Sequence, residues 1–273
     1  MDLSQALEVA TRSDPGMVRT NNEDSVLADP VHGVVILADG MGGYNAGEVA
    51  SGMATALLGT ELSRAIEVAD GVASLDMADL RDLLNDEITR ANGAIHQASV
   101  SHPQYSGMGT TLVTGVFHDN RMSVAHIGDS RMYRLRGEEF SQVTRDHSFL
   151  QEQIDAGIIS REDARHAQNK NLVTRALGVD ARVEVEIHDY EVEPGDIYLL
   201  CSDGLNDMVD DDEISMTLQA LGANLELCAM QLVQMANDNG GRDNVSVILV
   251  KIRKPFPSPR GWFSRILGRA GIK

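Results

Sequence analysis

The chain has 273 residues, 41 of them acidic and 23 basic, for a formal charge of −18 at neutral pH. That balance excludes nucleic acid as the main partner, because a phosphate backbone calls for basic patches. Hydrophobic residues make up 42%, enough for a sizeable core. The two cysteines, Cys201 and Cys228, lie in apolar surroundings that suit reduced thiols. With no signal peptide and no long apolar span in the sequence, the expectation is a cytoplasmic protein.

Residues 1–12 read as an opening strand, closed by the turn Ser13-Asp14-Pro15-Gly16. A short strand over 25–28 and another over 33–39 follow. From Ala46 to about Ile66 the apolar spacing becomes helical, and a second helix is expected over 77–99. Two consecutive helices favour an α+β arrangement over strict alternation. Strands resume at 110–117, 123–127, 131–135 and 139–143, with the short polar turns of antiparallel hairpins. Residues 146–178 are polar and poor in large apolar groups, and read as a mostly helical surface flap. Strands at 183–190 and 197–202, helices at 211–221 and 225–237, and an alternating strand at 245–252 complete one domain, 1–254.

The tail, 255–273, is set apart by prolines and by charge. From Lys251 onward there are seven bases and no acid. It carries the only Trp, Trp262, with Phe263, Ile266 and Leu267. Residues 260–273 could lie on an anionic membrane surface, dock on a partner, stay disordered, or fold back on the acidic body.

The chemistry is carried by acids at strand ends. The apolar run Val34–Ala38 breaks off at Asp39-Gly40-Met41-Gly42-Gly43, a sharp turn that could present a carboxylate and a bare carbonyl together. The same design recurs at Gly128-Asp129-Ser130, Ser202-Asp203-Gly204 and Arg242-Asp243-Asn244, with Asn22-Glu23-Asp24 beside them. Any one of these is an ordinary turn; five together are hard to ascribe to turns alone. Carboxylates gathered in one place repel unless cations or protons neutralise them. Oxygen ligands without a His or Cys cluster select Mg²⁺ or Mn²⁺. Two such ions can share a carboxylate and a water that becomes a nucleophile near neutral pH. Arg19 could clamp a phosphate through its fork of donors.

In order and together, Gly16-Met17-Val18-Arg19-Thr20-Asn21-Asn22-Glu23-Asp24, Ala38-Asp39-Gly40-Met41-Gly42-Gly43, Gly109-Thr110-Thr111, Gly128-Asp129-Ser130-Arg131, Ser202-Asp203-Gly204-Leu205 and Arg242-Asp243-Asn244 form a specific set. Over 8–252 the chain resembles the metal-dependent serine/threonine protein phosphatases (PPM family, type 2C), in particular the compact bacterial members. The resemblance implies a sandwich of two antiparallel β-sheets with helices on both outer faces. It implies a binuclear Mn²⁺ or Mg²⁺ centre, with Asp39 bridging both ions. Glu23, directly or through water, and the Gly40 carbonyl would complete one site; Asp203 and Asp243 would complete the other. Asp129, with Asp203, resembles a third, weaker metal site, and Asp24 an outer-shell group. Arg19 would hold the substrate phosphate. The implied substrates are phosphoserine and phosphothreonine in proteins, with a bacterial Ser/Thr kinase as the opposing partner and a monomer as the default state. One departure stands out: animal members carry His where this chain has Met41, and Met cannot donate a proton to the leaving alkoxide. His126 and His147 read as structural histidines rather than as its replacement.

Rival chemistries fare worse. A Cys-nucleophile phosphatase needs Arg with five residues between; Cys201 meets Asp207 at that spacing and Cys228 meets Gln234. The dinucleotide fingerprint fails because Asn45 stands where its third glycine belongs, and Glu61 falls within a helix. No P-loop pattern occurs. A phosphoprotein-binding pseudophosphatase is the remaining alternative, and the full carboxylate set argues against it.

Overall fold

The computed structural model describes residues 2–43, 46–69, 75–160, 163 and 172–257. Among the described residues, eleven strands form two antiparallel sheets. The first sheet has the order β1 (Leu7–Asp14), β11 (Val245–Ile252), β10 (Ile197–Cys201), β7 (Arg131–Arg136), β8 (Glu139–Gln142). The second runs β2 (Asp24–Asp29), β3 (Val34–Met41), β5 (Leu112–His118), β6 (Arg121–Ile127), β9 (Glu186–Glu191), with β4 (Gly109–Thr110) pairing β3.

Side-chain alternation explains how both faces of the first sheet become buried. Ile197, Leu199 and Cys201 of β10 join Val245, Val247 and Leu249 of β11 in one core. Tyr198, Leu200, Ile248, Val250 and Ile252 point the other way, into the core shared with the second sheet. A period of two sends alternate residues to opposite faces, so strands covered on both sides read as continuous apolar runs. Outside the first sheet lie α5 (Asp211–Leu221) and α6 (Leu225–Asp238), with α6 against β1 and β11. Outside the second lie α1 (Ala46–Val68), on β2 and β3, and α2 (Met77–Ser101), on α1 and β6. Both α2 and α5 begin in capping boxes, at Asp76/Asp79 and Asp210/Glu213. The expected sandwich with helices on both outer faces is the observed one.

The details differ in places: the opening strand, expected over 1–12, begins at Leu7 and runs to Asp14. The strand expected over 110–117 is split at Thr111, whose backbone and hydroxyl both bond Asp39: Thr111 N donates to Asp39 O (2.8 Å), and Asp39 N donates to Thr111 Oγ1 (3.0 Å). A four-residue helix, α4 (Asp203–Asn206), begins at Asp203 itself. In the flap, the described residues include a two-turn helix, α3 (Phe149–Asp155), which ends before Gly157 at φ +67°. After it, 172–174 return in extended form beside 147–149, through Phe149 N to Leu172 O and Thr174 N to His147 O. Finally, Phe256 is fully buried and its N–H meets Asn120 Oδ1 at 2.6 Å, so the packed chain runs past 254. The sequence expectation for 260–273 lies outside the described residues.

Candidate metal centre

The acids collect at one end of the sandwich, on the seam between the sheets. In the second sheet, Asp24 of β2 stands directly opposite Asp39 of β3. From the first sheet come Asp203, just past β10, and Asp243, just before β11. Asp129 sits in the connection from β6 to β7, where the chain passes from one sheet to the other. Gly128 makes that turn at φ +101°, where a Cβ would fall 2.7 Å from the Thr111 side chain. Gly40 is required by close approach: a Cβ there would lie 2.1 Å from the Gly47 carbonyl oxygen at the start of α1.

These carboxyls feel one another. Burial, and then the charges of Asp24, Asp203, Asp129 and Asp243, push Asp39 well above the usual carboxylate range. Burial does the same to Asp203, reinforced by Asp129, Asp207, Asp243 and Asp24. Asp24 is raised to about 6 by burial, against the hydrogen bonds of Ser246 and Ser202. Asp129 is also raised to about 6, by burial and then by Asp146. Glu23 is raised by burial while Arg19 opposes the shift. A cluster in which Asp39, Asp203, Asp24, Asp129 and Glu23 all resist ionisation is one that a cation would relieve.

The donor set fits a hard divalent ion. Glu23 Oε1 and Asp24 Oδ1 are buried and have no hydrogen-bond partner among the described residues. A buried carboxylate oxygen left without a partner is costly, and a cation beside it would satisfy it. Among the acids of the cluster the ligand atoms are all oxygens, which suits Mg²⁺ or Mn²⁺ over softer metals.

The surrounding residues hold the acids in place. Asn244 is buried, and its amide makes three hydrogen bonds to the 15–23 loop. Oδ1 accepts from Glu23 N (2.8 Å); Nδ2 donates to Pro15 O (3.0 Å) and Asn21 O (2.9 Å). Ser202 Oγ donates to Asp24 Oδ2 at 2.8 Å, tying the sheets together across the seam. Thr111 Oγ1 meets both Asp39 N (3.0 Å) and Ser130 Oγ (2.7 Å). None of these three was singled out as a site residue from sequence. The available signal was position for two of them: Ser202 and Asn244 are short polar residues next to an acid of the repeated turns, whereas Thr111 lies two residues past Gly109.

Arg19 is half-exposed at the rim, and its Nη2 donates to Asp243 Oδ2 at 2.8 Å. The sequence placed Arg19 as a phosphate clamp near Glu23; the structure seats it on Asp243, with the 16–18 backbone held by Met17 N and Val18 N on Gly241 O. Met41 pairs with Gly109 at the end of β3 and offers no proton. His126 and His147 are buried and hydrogen-bonded to protein. An open cavity of about 380 Å³ adjoins the cluster. It takes in Asp129 and Asp203 but not Asp39, and runs past Asp207 to the root of the flap at Ser148 and the start of α5.

The model of the protein phosphatase 2C family matches residues 18–236. The serine/threonine protein phosphatase PstP of Mycobacterium tuberculosis is 41% identical over 246 residues, 90% of this chain and 45% of PstP. The chain thus spans under half the length of that relative. The serine/threonine phosphatase stp of Listeria monocytogenes is 38% identical over 243 residues, 88% of this chain and 94% of that protein. A solved structure of the catalytic domain of PstP, in complex with two manganese ions, superposes with a TM-score of 0.80 at 39% identity, covering 91% of this chain and 99% of that one. Matched over most of its length in both sequence and fold, the chain belongs to the protein phosphatase 2C family.

Proposed function

We propose that this chain hydrolyses phosphoserine and phosphothreonine in proteins, using a pair of Mn²⁺ or Mg²⁺ ions. The observation that carries the reading is the cluster of mutually repelling carboxyls on the seam, with two buried oxygens lacking partners. Asp39, central among the acids, would be shared between two ions. Glu23 and the Gly40 carbonyl would serve one, Asp203 and Asp243 the other, and Asp129 with Asp203 a third and weaker site. Asp24, bonded to Ser202, would stand behind these ligands and orient them. When bound, such ions lower the pKa of water and offset charge on phosphoryl oxygens.

The rest of the work falls to the chain itself. Arg19 has a free edge to solvent and a fork suited to bidentate phosphate contact. Its pairing with Asp243 keeps it at the cluster without burying it. Asn244 fixes the loop that carries both Arg19 and Glu23, so phosphate binding and the acid cluster share one support. Gly40 and Gly128 let backbone come close where side chains would collide. The acidic surface argues against nucleic acid as a partner, and no helix among the described residues is long and apolar enough to cross a membrane. A cytoplasmic monomer opposing a bacterial Ser/Thr kinase, with a basic segment at 260–273 for docking, completes the proposal.

The test is hydrolysis of a phosphothreonine peptide by the purified chain, titrated with Mn²⁺ and then with EDTA, beside Asp39→Asn. Metal-dependent turnover that vanishes in the variant is expected. Folded protein with no turnover at any Mn²⁺ concentration would overturn the reading in favour of a phosphoprotein-binding module.

A further inference from the structure

Three residues outside the carboxylate cluster, His126, His147 and Glu186, bring their polar atoms within 4.8 Å of one another. Two imidazoles and a carboxylate have the composition of a transition-metal site. Their hydrogen bonds point elsewhere. The Gly128 N–H donates to His147 Nδ1 at 3.2 Å. A backbone N–H can only donate, so Nδ1 holds the lone pair and Nε2 carries the proton. That Nε2–H lies 3.1 Å from Glu186 Oε2 and donates to it. His126 Nε2 faces the Arg145 carbonyl at 2.8 Å and therefore also carries a proton. A metal at His147 Nε2 would force a proton onto Nδ1, opposite the Gly128 N–H. His188, Glu186 and His147 thus form a hydrogen-bond relay to Gly128, while His126 is tied to backbone beside it.

The relay ends beside Asp129. His147 holds both backbone polar groups of Gly128: its side chain accepts from Gly128 N, and its backbone N–H donates to Gly128 O at 2.8 Å. Next to it, Arg131 and Asp146 tie the same two segments by a bidentate ion pair, with Arg131 Nη2 to Asp146 Oδ2 at 2.7 Å. The His147 carbonyl accepts from Thr174 N at 2.8 Å, so the returning arm of the flap hangs on the same residue. The His126 ring stacks on His147 with centroids 4.7 Å apart and fixes its plane. Glu186 is held in turn by His188 Nε2 at 2.8 Å. We propose that His147, oriented by Glu186, is a positioning residue that sets the Gly128-Asp129 turn and roots the flap beside it. The inference rests on the reading of Asp129 as a ligand only for its consequence on metal affinity.

Two near-isosteres separate the parts of the imidazole. In His147→Asn the amide oxygen takes the place of Nδ1 and keeps the bond to Gly128. In His147→Gln the amide reaches the place of Nε2, keeps Glu186 and loses Gly128. Hydrogen exchange at the Gly128 amide of the full chain in EDTA reads the turn without any metal. Exchange about tenfold faster in His147→Gln and within about threefold of wild type in His147→Asn is expected. Glu186→Gln, on the edge strand and remote from the core, should shift it by about threefold. Calorimetric titration with Mn²⁺ should then show the weakest site loosened about tenfold in His147→Gln and spared in His147→Asn. Equal Gly128 exchange in all three variants and wild type overturns the inference. So does faster exchange in the Asn and Gln variants alike, because it would mark a merely structural histidine. If Asp129→Asn leaves the Mn²⁺ titration unchanged, the ligand reading of Asp129 fails, and Gly128 exchange alone still decides the role of His147.

Discussion

Asn244→Ala tests how the loop that carries Arg19 and Glu23 is held. The wild-type amide is 5% exposed and makes three hydrogen bonds to backbone groups of that loop, between 2.8 and 3.0 Å. A net hydrogen bond contributes about 1 kcal/mol, so the truncation should cost about 3 kcal/mol. In a domain of this size about 1 kcal/mol moves the melting temperature by roughly 2–4 °C, which places the expected fall at about 6–12 °C. The measurement is differential scanning calorimetry in EDTA, so that metal binding does not mask the loss. Function should suffer along with stability. Released from Asn244, the loop no longer fixes Glu23 N or the approach of Arg19, so KM for an aryl phosphate should rise several-fold. Asn244→Asp keeps the acceptor for Glu23 N but turns a buried carboxylate oxygen onto the Pro15 and Asn21 carbonyls, and should be no more stable than Ala. A loss under about 1 kcal/mol with unchanged KM would refute the reasoning: the loop would then be held by its other ties, Met17 and Val18 on Gly241 and the Glu23 carbonyl on Gly40 N and Ser51 Oγ.

Four further outcomes follow. Asp39→Asn and Asp203→Asn should each reduce metal-dependent turnover to background, read with a phosphothreonine peptide; turnover above a tenth of wild type would remove that residue from the centre. Arg19→Ala should act mainly through KM, and a fall confined to kcat would count against a phosphate clamp. Asp129 is raised to about 6 by burial, so the folded protein holds a proton there that the unfolded chain releases near 4. Stability from this group is therefore present at low pH and lost as pH rises through about 6. In EDTA, Asp129→Asn should be the more stable protein at pH 7 and should match wild type near pH 4; an advantage independent of pH would contradict this. Truncation after Pro257 keeps the buried Phe256 and should leave aryl-phosphate turnover intact, whereas truncation after Lys254 should lower the melting temperature as well.

The parts of this molecule that could be read from sequence are those that a periodic pattern or a repeated turn announces. The alternation of β10 and β11 survives because each face meets its own apolar layer, so Tyr198 and Leu199 report different cores. The acids could be read because they stand at strand borders beside a glycine or turn residue, as at Asp39. What escaped depends on partners far away in sequence. Thr111 breaks a strand that its own residues favour, because its hydroxyl serves Asp39 and Ser130. Asn244 looks like any turn residue until it reaches Asn21, 223 positions away. The same logic explains why the centre sits on the seam. Asp24 and Asp39 come from one sheet, Asp203 and Asp243 from the other, and Asp129 from the chain crossing between them. A one-residue slip in the β2–β3 pairing would turn Asp24 to the opposite face and away from Ser202. The apolar alternation that builds the core therefore also fixes the register of the acids, and the repulsion among them is sustained by the burial of the strands they end.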